Sequence, residues 1–193
     1  MNTESVTGAI LAGGESRRMG RPKPMVLWQG RRLIDWAADC LKPVCWELMI
    51  IANSGDFSDL GLPVFPDPVK GLGPAAGIAA SLRHAAFERV AIISCDTPLI
   101  TPALFRHLLD NHGDFDVTIA GHGEWEEPLI GIYSKRILPV FTEALLQGNA
   151  KPWQIIRKTN WQRVEITPDL PFYRPDLFLN LNTPEDLNKP WHS

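Results

Sequence analysis

Apolar positions along the chain fall into two patterns, and the two patterns alternate. Continuous apolar or β-branched runs predict six strands, at Val6–Leu11, 48–52, 63–65, 90–95, 116–120 and 129–133. Apolar residues at helical spacing predict helices over Leu33–Leu41, 77–86, 102–109 and 136–147, and a short last helix from Pro184. Strands that alternate with helices are typical of an α/β protein with a mostly parallel central sheet, covered by helices on both faces.

Two of the expected helices begin at residues suited to capping. Thr101 is predicted to cap the helix that starts at Pro102, and Thr183 the one that starts at Pro184. A threonine hydroxyl can accept a bond from a free N–H of the first turn, and proline suits the first helical position. Asp186 stands at the third position of the last helix, where an acidic residue supports the cap.

Polar residues follow the predicted strands at the points where the strands end. The loops in question come after Leu11, Ile51, Phe65 and Cys95, and after an expected last strand that ends at Leu179. In a parallel sheet, ligands bind outside the carboxyl ends of the strands. The sequence therefore predicts a ligand site at this edge of the sheet.

Length and charge narrow the kind of ligand. The 193 residues suit one domain with a full core, so we expect a single domain over 1–193. The net charge is −3, yet the stretch from Gly13 to Arg32 holds six Lys/Arg and one acid, Glu15. Concentrated positive charge fits a small polyanion better than the extended backbone of a nucleic acid, which is not an expected partner.

Cysteine usage and hydropathy indicate a cytoplasmic protein. The three cysteines, Cys40, Cys45 and Cys95, form no C-x-x-C pair and no even framework, so we expect neither disulfides nor a zinc site. No apolar run reaches the roughly 20 residues of a membrane span. Residues 1–7 lack the cationic and apolar regions of a signal peptide, and no membrane partner is expected.

The stretch 11–23, Leu-Ala-Gly-Gly-Glu-Ser-Arg-Arg-Met-Gly-Arg-Pro-Lys, is the most informative part of the sequence. A buried strand leads into glycines, which let backbone N–H groups approach anionic oxygens, and the glycines lead into cations. The stretch lacks the Lys-Ser/Thr of a P-loop and the G-x-G-x-x-G of a dinucleotide fingerprint. A Gly-Gly turn with a solvated basic face is the alternative, and the preceding strand and clustered cations disfavour it.

This stretch resembles the opening loop of the nucleotidyltransferases built like molybdenum cofactor guanylyltransferase, L-A-G-G-x-S-x-R-M-G followed by a lysine. The resemblance implies a three-layer α/β/α, Rossmann-like nucleotidyltransferase fold in which this loop wraps a nucleotide triphosphate. It assigns nucleotide contacts to Leu11, Ala12, Gly13, Gly14, Arg18 and Lys23. The sequence does not distinguish whether Arg17 or Arg18 contacts the phosphates. Lys23 is also expected to be catalytic, since a cation there can follow the charge on the α-phosphate and the leaving pyrophosphate.

Asp96 directly follows the buried strand 90–95. A carboxylate held at a strand tip suits Mg²⁺, which takes one or two carboxylates together with phosphate oxygens and water. The alternative is a turn aspartate, but Thr101 already serves as the expected cap. The Cys-Asp-Thr-Pro run resembles the metal-binding motif of the family, so Asp96 is expected to be catalytic and to contact both nucleotide and metal. Thr97 favours guanine, because the related cytidylyltransferases usually have methionine there.

Base recognition is expected from the loops after the second and third strands. Asp67 could accept hydrogen bonds from the N–H groups of guanine, although aspartate is also a routine turn residue. Asn53 offers an amide to base or ribose, with an ordinary turn as its alternative. The G-P-x-x-G motif of the family resembles Gly73 to Gly77 here, and implies that both glycines contact the nucleotide.

The segment 178–187 resembles the closing N-x-N-T-P-E-D-L of the family. Alternation along an expected strand end would place Asn180 and Asn182 on one face. Asn182 is expected near the metal, and Asn180 is the weaker candidate. The alternative is that Asn182 starts the last helix and that Asn180 is a polar residue at a strand edge.

Other residues offer little chemistry. No serine or cysteine nucleophile set stands out, and no histidine is expected at a strand tip. Packing is the expected use of Trp125, Trp153 and Trp161. Four prolines interrupt 149–176, which we interpret as a substrate-side excursion, and 149–158 matches the acceptor-side stretch of the family only loosely.

The resemblance implies transfer of GMP from GTP to the terminal phosphate of molybdopterin or Mo-molybdopterin, with Mg²⁺ as cofactor. The N-terminal half would bind the nucleotide, and about 100–177 would face the acceptor. Molybdoenzyme apoproteins and other cofactor-biosynthesis proteins are candidate partners. The alternatives are a CTP-dependent molybdopterin cytidylyltransferase, a sugar-phosphate nucleotidyltransferase and, from another class, a non-catalytic nucleotide-binding regulator.

Overall fold

The computed structural model describes residues 5–13, 22–67 and 72–188. Two predicted nucleotide contacts, Gly14 and Arg18, lie outside these ranges, as does Arg17. Their assignments stay predictions.

A twisted sheet forms the centre of the molecule. Within the described ranges it has seven strands in the order β5-β4-β1-β6-β8-β7-β9. These are β1 (Val6–Leu11), β4 (Glu47–Ile51), β5 (Val64–Phe65), β6 (Arg89–Ser94), β7 (Val117–His122), β8 (Trp125–Ser134) and β9 (Trp161–Glu165). A separate small hairpin joins β2 (Leu27–Trp28) to β3 (Arg31–Arg32). β8 runs antiparallel to β6 and β7, and the other pairings in the large sheet are parallel.

Helices cover both faces of the sheet. They are α1 (Leu33–Leu41), α2 (Gly73–His84), α3 (Pro102–His112), α4 (Leu138–Leu146) and α5 (Pro152–Ile156). On one face, Ile10 and Ile93 of the sheet pack in a cluster with α1 and α3. On the other face, Ala9 and Ile92 belong to a cluster with α2, α4 and α5. Successive strand residues point to opposite faces, so each central strand is buried on both sides and reads as one apolar run. The predicted α/β/α class is confirmed.

Two helix starts differ from the prediction. α2 begins at Gly73 rather than at residue 77, because Pro74 suits the first turn and helical structure therefore starts before the alanine-rich spacing does. Thr101 does not cap α3 with its side chain: its Oγ1 is buried and has no hydrogen-bond partner among the described residues. Extended backbone at Thr101 ends the preceding turn, and Pro102 alone sets the first helical position.

The last predicted cap is confirmed. A 3-10 turn spans Pro184–Asn188. The Asp186 carboxylate accepts hydrogen bonds from the backbone N–H groups of Asn182 and Thr183, each at 2.9 Å. The backbone N–H of Asp186 donates in return to Thr183 Oγ1 at 3.4 Å.

The stretch 149–176 is more regular than predicted. It contains α5, and β9 pairs in parallel with β7 to complete one edge of the sheet. Three of the five residues of β9, Gln162, Arg163 and Glu165, are polar, so the segment has neither a continuous apolar run nor a strict alternation that would predict a strand. By contrast, the strand expected to end at Leu179 is absent, and 177–182 run as turn and irregular chain.

None of the helices in the described ranges is both long enough and apolar enough to cross a membrane.

Candidate active site

The carboxyl ends of three neighbouring parallel strands define the site. The chain leaving β1 is fixed on both sides, because Ala12 N donates to Ile51 O at 2.9 Å and Cys95 N donates to Leu11 O at 3.3 Å. The loops after β1, β4 and β6 therefore start side by side. This is the edge at which the sequence predicts a ligand.

Lys23, Asp96 and Asn182 meet at this edge although they are distant in sequence. Lys23 Nζ lies 2.6 Å from Asp96 Oδ2 and 2.6 Å from Asn182 Oδ1. The side chains of Lys23 and Asp96 are only 15% and 13% exposed, so their ion pair is shielded from much of the solvent. Lys23 begins a 3-10 turn after Pro22, and Leu181 N donates to Asp96 O at 2.9 Å, which brings Asn182 to the pair.

The two carboxylate oxygens of Asp96 have different surroundings. Its Oδ1 is buried and has no hydrogen-bond partner in the described ranges, whereas Oδ2 is held by Lys23. No group of three or more His, Cys, Asp or Glu side chains among the described residues could hold a metal ion. The donors present are one carboxylate and one amide oxygen. This set fits Mg²⁺, which uses few protein ligands and completes its shell with phosphate oxygens and water.

Asn53 and Asp67 form a second polar pair at the ends of β4 and β5. Asn53 Oδ1 accepts from Asp67 N at 3.0 Å, and Asn53 Nδ2 donates to Asp67 Oδ2 at 3.4 Å. Asp67 Oδ1 is buried and has no partner in the described part of the chain. Burial raises the pKa of Asp67 above its ordinary value of 3.8. An unpartnered buried carboxylate oxygen is a ready acceptor for N–H groups of a ligand.

Glycines allow this pair to sit close to the backbone. A Cβ at Gly13 would lie 3.5 Å from Asp67 Oδ2, and a Cβ at Gly77 would lie 3.5 Å from Asp67 Oδ1 and 3.2 Å from Leu11 Cδ2. Gly13, Gly77, Leu11 and Asp67 are thus brought together, as are Ala12 and Asn53 beside them. Gly73 has a φ of +59° at the start of α2, and a Cβ there would meet nothing within 4 Å. Gly73 is therefore not packed into this cluster.

Among the described cations of the cluster, Arg31 and Arg32 pair with carboxylates of α1 and of the loop after β4 rather than with groups at the ligand edge. Arg32 pairs with Asp35 at 2.7 Å and with Asp59 at 2.6 Å, which raises its pKa. Arg31 pairs with Asp39 and lies over the Trp36 ring at 4.6 Å. These arginines anchor α1, so the positive charge near the ligand edge is smaller than the sequence count suggests.

The sequence-based interpretation missed a cluster at the tip of the β7–β8 hairpin. His122 ends β7 and is thus at a strand tip, contrary to expectation. Its ring stacks on Phe178 with centroids 4.1 Å apart, and its Nε2 lies 3.1 Å from Glu127 Oε1. Trp125 is 70% exposed, so the packing role expected for it is wrong. Gly123, in the short polar stretch between the predicted strands 116–120 and 129–133, was the available signal for this hairpin.

Trp153 and Trp161 pack against each other, whereas Asn180 lies at the surface. Trp153 and Trp161 pack edge to face at 5.1 Å, which confirms the packing role. Asn180 is exposed. Because the segment around it is not a strand, alternation does not place it with Asn182.

The mostly parallel α/β sheet and the polar side chains at its strand ends agree with the nucleotidyltransferase class that the sequence predicts. The family model described as the MobA-like NTP transferase domain matches residues 8–164. The chain belongs to this family.

Named relatives align with nearly the whole chain. A probable molybdenum cofactor guanylyltransferase from Carboxydothermus hydrogenoformans is 37% identical over 191 residues, covering 96% of this chain and 95% of that protein. The molybdenum cofactor guanylyltransferase of Vibrio vulnificus is 34% identical, with 93% and 92% covered.

Solved structures show the same fold. Molybdopterin-guanine dinucleotide biosynthesis protein A from Archaeoglobus fulgidus has a TM-score of 0.80 and 28% identity, with 94% of each chain covered. 2-C-methyl-D-erythritol 4-phosphate cytidylyltransferase from Thermus thermophilus has a TM-score of 0.71 over 95% of each chain, but at 16% identity it shares the fold alone.

Proposed function

We propose that this protein transfers GMP from GTP to the terminal phosphate of molybdopterin, with or without its molybdenum, and releases pyrophosphate. The observation that carries the proposal is the meeting of Lys23, Asp96 and Asn182 at the strand ends, beside the Asn53–Asp67 pair. Relatives with the name molybdenum cofactor guanylyltransferase that align over nearly the whole chain support guanylyl transfer as the reaction.

Asp67 and Asn53 would bind the base. Guanine presents N1–H and N2–H₂ donors on one edge, and Asp67 Oδ1, which has no partner among the described residues, can accept from them. Cytosine and uracil lack this pair of adjacent donors. The amide of Asn53 holds the backbone N–H and carboxylate of Asp67 in place. Discrimination for guanine therefore rests on satisfying a buried acceptor that the wrong base would leave unpaired.

Lys23 and the glycine pair would bind the triphosphate. A backbone without side chains at Gly13 and Gly14 lets N–H groups reach the phosphate oxygens. Lys23 supplies a compact positive charge that can move from Asp96 to the phosphates. Asp96 and Asn182 would hold Mg²⁺, which when bound screens the charge of the phosphates.

The chemistry requires alignment rather than a protein nucleophile. An oxygen of the acceptor phosphate forms a new bond to the α-phosphorus of GTP, and the bond from that phosphorus to the oxygen bridging the α- and β-phosphates breaks. The electron pair leaves with pyrophosphate, whose growing charge Lys23 neutralises. The acceptor phosphate is already ionised at neutral pH, which explains why no general base is needed at the strand ends.

Pyrophosphate release tests the proposal. Purified protein with GTP, Mg²⁺ and molybdopterin is expected to release pyrophosphate, and Asp96→Ala is expected to abolish release. Asp169→Ala, which removes a carboxylate from an exposed turn, is the matched control and should leave the rate unchanged. An unchanged rate in Asp96→Ala would remove Asp96 from the mechanism.

Other outcomes would point to the alternatives. Pyrophosphate release from CTP in preference to GTP would favour a cytidylyltransferase. Pyrophosphate release with a sugar phosphate as acceptor would favour a sugar-phosphate nucleotidyltransferase. Tight GTP binding without pyrophosphate release from any acceptor would favour a non-catalytic regulator.

A further inference from the structure

Trp125 presents a large aromatic ring to solvent at the carboxyl edge of the sheet. Its 70% exposure is unusual for tryptophan, whose ring area normally contributes to packing. The residue begins β8, directly after the turn at Gly123, where φ is +56°. A rigid hairpin rather than a loose loop therefore carries the indole.

The hairpin gathers three further groups on the face of Trp125. His122 is the cross-strand partner of Trp125, and Ala120 is the partner of Glu127, so these residues share one face of the hairpin. His122 stacks on Phe178 and lies beside Glu127. We use the term aromatic platform for the exposed Trp125 together with the stacked pair of His122 and Phe178 on the same face of the hairpin, and the partly exposed carboxylate of Glu127 lies beside His122.

The platform and the Asn53–Asp67 pair lie on opposite sides of Asp96. The strand order is β5-β4-β1-β6-β8-β7, with Asn53 and Asp67 at the ends of β4 and β5, and Asp96 after β6. Ile93 of β6 pairs with Ile130 of β8 and β6 ends at Ser94, so residues 125–128 extend beyond the end of β6 at the carboxyl edge.

The platform is also tied to the Asp96 turn by a short piece of chain. Leu181 N donates to Asp96 O, and Phe178 is three residues earlier in the chain. Three residues span at most about 11 Å. A substrate that reacts beside Asp96 can therefore reach the platform with its far end.

We propose that Trp125 and Glu127 form the binding subsite for the ring system of the acceptor, a 2-amino-4-oxo bicyclic heterocycle of the pterin class. The inference rests on the proposed function, which requires an acceptor of this chemistry. The indole of Trp125 stacks on the flat ring, and base-like rings stack on aromatic side chains regardless of their substituents. The Glu127 carboxylate accepts from the amino and ring N–H groups, while His122 orients it.

The arrangement gives the two heterocycles separate places. Guanine is also a 2-amino-oxo bicycle, and Asp67 would receive it on the β4–β5 side. Asp96 lies between the two carboxylates in the strand order, so the two phosphates can meet there.

Binding of free 6-hydroxymethylpterin tests the subsite without turnover. Pterin fluorescence anisotropy is expected to report binding to the wild type, and Trp125→Ala should weaken it by about tenfold, the size of one lost base–aromatic stack. Trp125→Phe should retain most of the affinity, and Glu127→Gln should weaken it. Trp46→Ala is the matched control, because Trp46 is 69% exposed but precedes β4 at the other end of the strands.

Steady-state kinetics separates the subsite from the proposed function. With pyrophosphate release as the readout, Trp125→Ala should raise KM for molybdopterin and leave KM for GTP unchanged. An equal rise in KM for GTP would overturn the proposal, because the platform would then bind the nucleotide base. It would also be overturned by a wild type that fails to bind the pterin, or by a Trp125→Ala variant that binds it like the wild type. Pterin binding that depends on Trp125 without pyrophosphate release would refute the guanylyltransferase and leave the pterin subsite standing.

Discussion

Lys23 is defined by the two oxygen atoms that it contacts. Its ammonium bonds to Asp96 and Asn182 at 2.6 Å each, on the path that the triphosphate would take. We expect Lys23→Met to lower kcat for pyrophosphate release by about 100-fold, the cost of one lost charge-stabilising donor. Lys42→Met, at the exposed end of α1, is the control and should show wild-type kinetics. A normal kcat in Lys23→Met would show that this cation does not act on the leaving group.

Asp67 illustrates the cost of a buried recognition group. Its pKa is raised because burial disfavours the charged form, and one oxygen has no partner in the described ranges. A raised pKa in the folded state means that the favourable contribution of Asp67 is present at low pH and is lost as pH rises through that pKa. At neutral pH the ionised carboxylate therefore destabilises the ligand-free protein.

Asp67→Asn should consequently make the protein more stable and a poorer binder. Removing the buried charge is expected to raise stability at pH 7 by about 1 kcal/mol, or about 2–4 °C in Tm. GTP affinity should fall, because the amide of asparagine is neutral and replaces one carboxylate oxygen by an NH₂ donor, so the charge-assisted hydrogen bonds to the guanine N–H groups are lost. Calorimetric melting and GTP titration measure both quantities on one sample. A lower Tm together with unchanged GTP affinity would contradict the recognition role.

At the scale of elements, the 3-10 turn Pro184–Asn188 holds Asn182 in place through its cap. Asp186 accepts the backbone N–H groups of Asn182 and Thr183. We expect Asp186→Ala to lower the free energy of unfolding by about 1 kcal/mol and to reduce kcat, because the Asn182 amide loses its fixed position. Asp186→Asn should recover part of both, since the amide oxygen can still accept. Chemical denaturation and pyrophosphate release measure the two effects, and a loss of stability without loss of kcat would separate the cap from catalysis.

The elements also show where sequence patterns suffice. The bounds of the strand Val6–Leu11 and the helix Leu33–Leu41 agree with those that the sequence predicts, because continuous or helical apolar spacing directly reflects burial. β9 escapes prediction because an edge strand with polar residues has no such spacing. The predicted start of α2 is too late because its first turn is set by Pro74 rather than by apolar residues.

For the whole molecule, the preferred nucleotide should be visible as thermal stabilisation. A ligand that binds the native state at 100 times its Kd adds about 2.7 kcal/mol. We expect GTP to raise Tm by several degrees more than CTP or UTP at the same concentration. The difference should shrink in Asp67→Asn, because the guanine-specific acceptor is then weakened. Equal shifts for all three nucleotides would contradict guanine selectivity, and a larger shift with CTP would support the cytidylyltransferase.

The class of fold and most members of the site follow from the pattern of residues along the chain. Apolar spacing showed which segments are buried, and polar residues directly after buried strands had to gather at one edge because parallel strands share their carboxyl ends. Asn53, Asp67 and Asp96 are therefore recognisable from their positions in the sequence pattern alone. The stretch 11–23 indicated that the ligand is a nucleotide triphosphate.

Which side chains contact each other depends on the folded arrangement of the elements. Contacts between residues as far apart in sequence as Lys23 and Asn182 depend on loop paths that no local pattern encodes. The folded structure also shows that Arg31 and Arg32 pair with the α1 carboxylates of Asp39 and Asp35. It shows that Trp125 is exposed at a hairpin tip instead of packed. Burial and partner choice are properties of packed neighbours, so a residue's type limits its chemistry but its surroundings select which part of that chemistry is used.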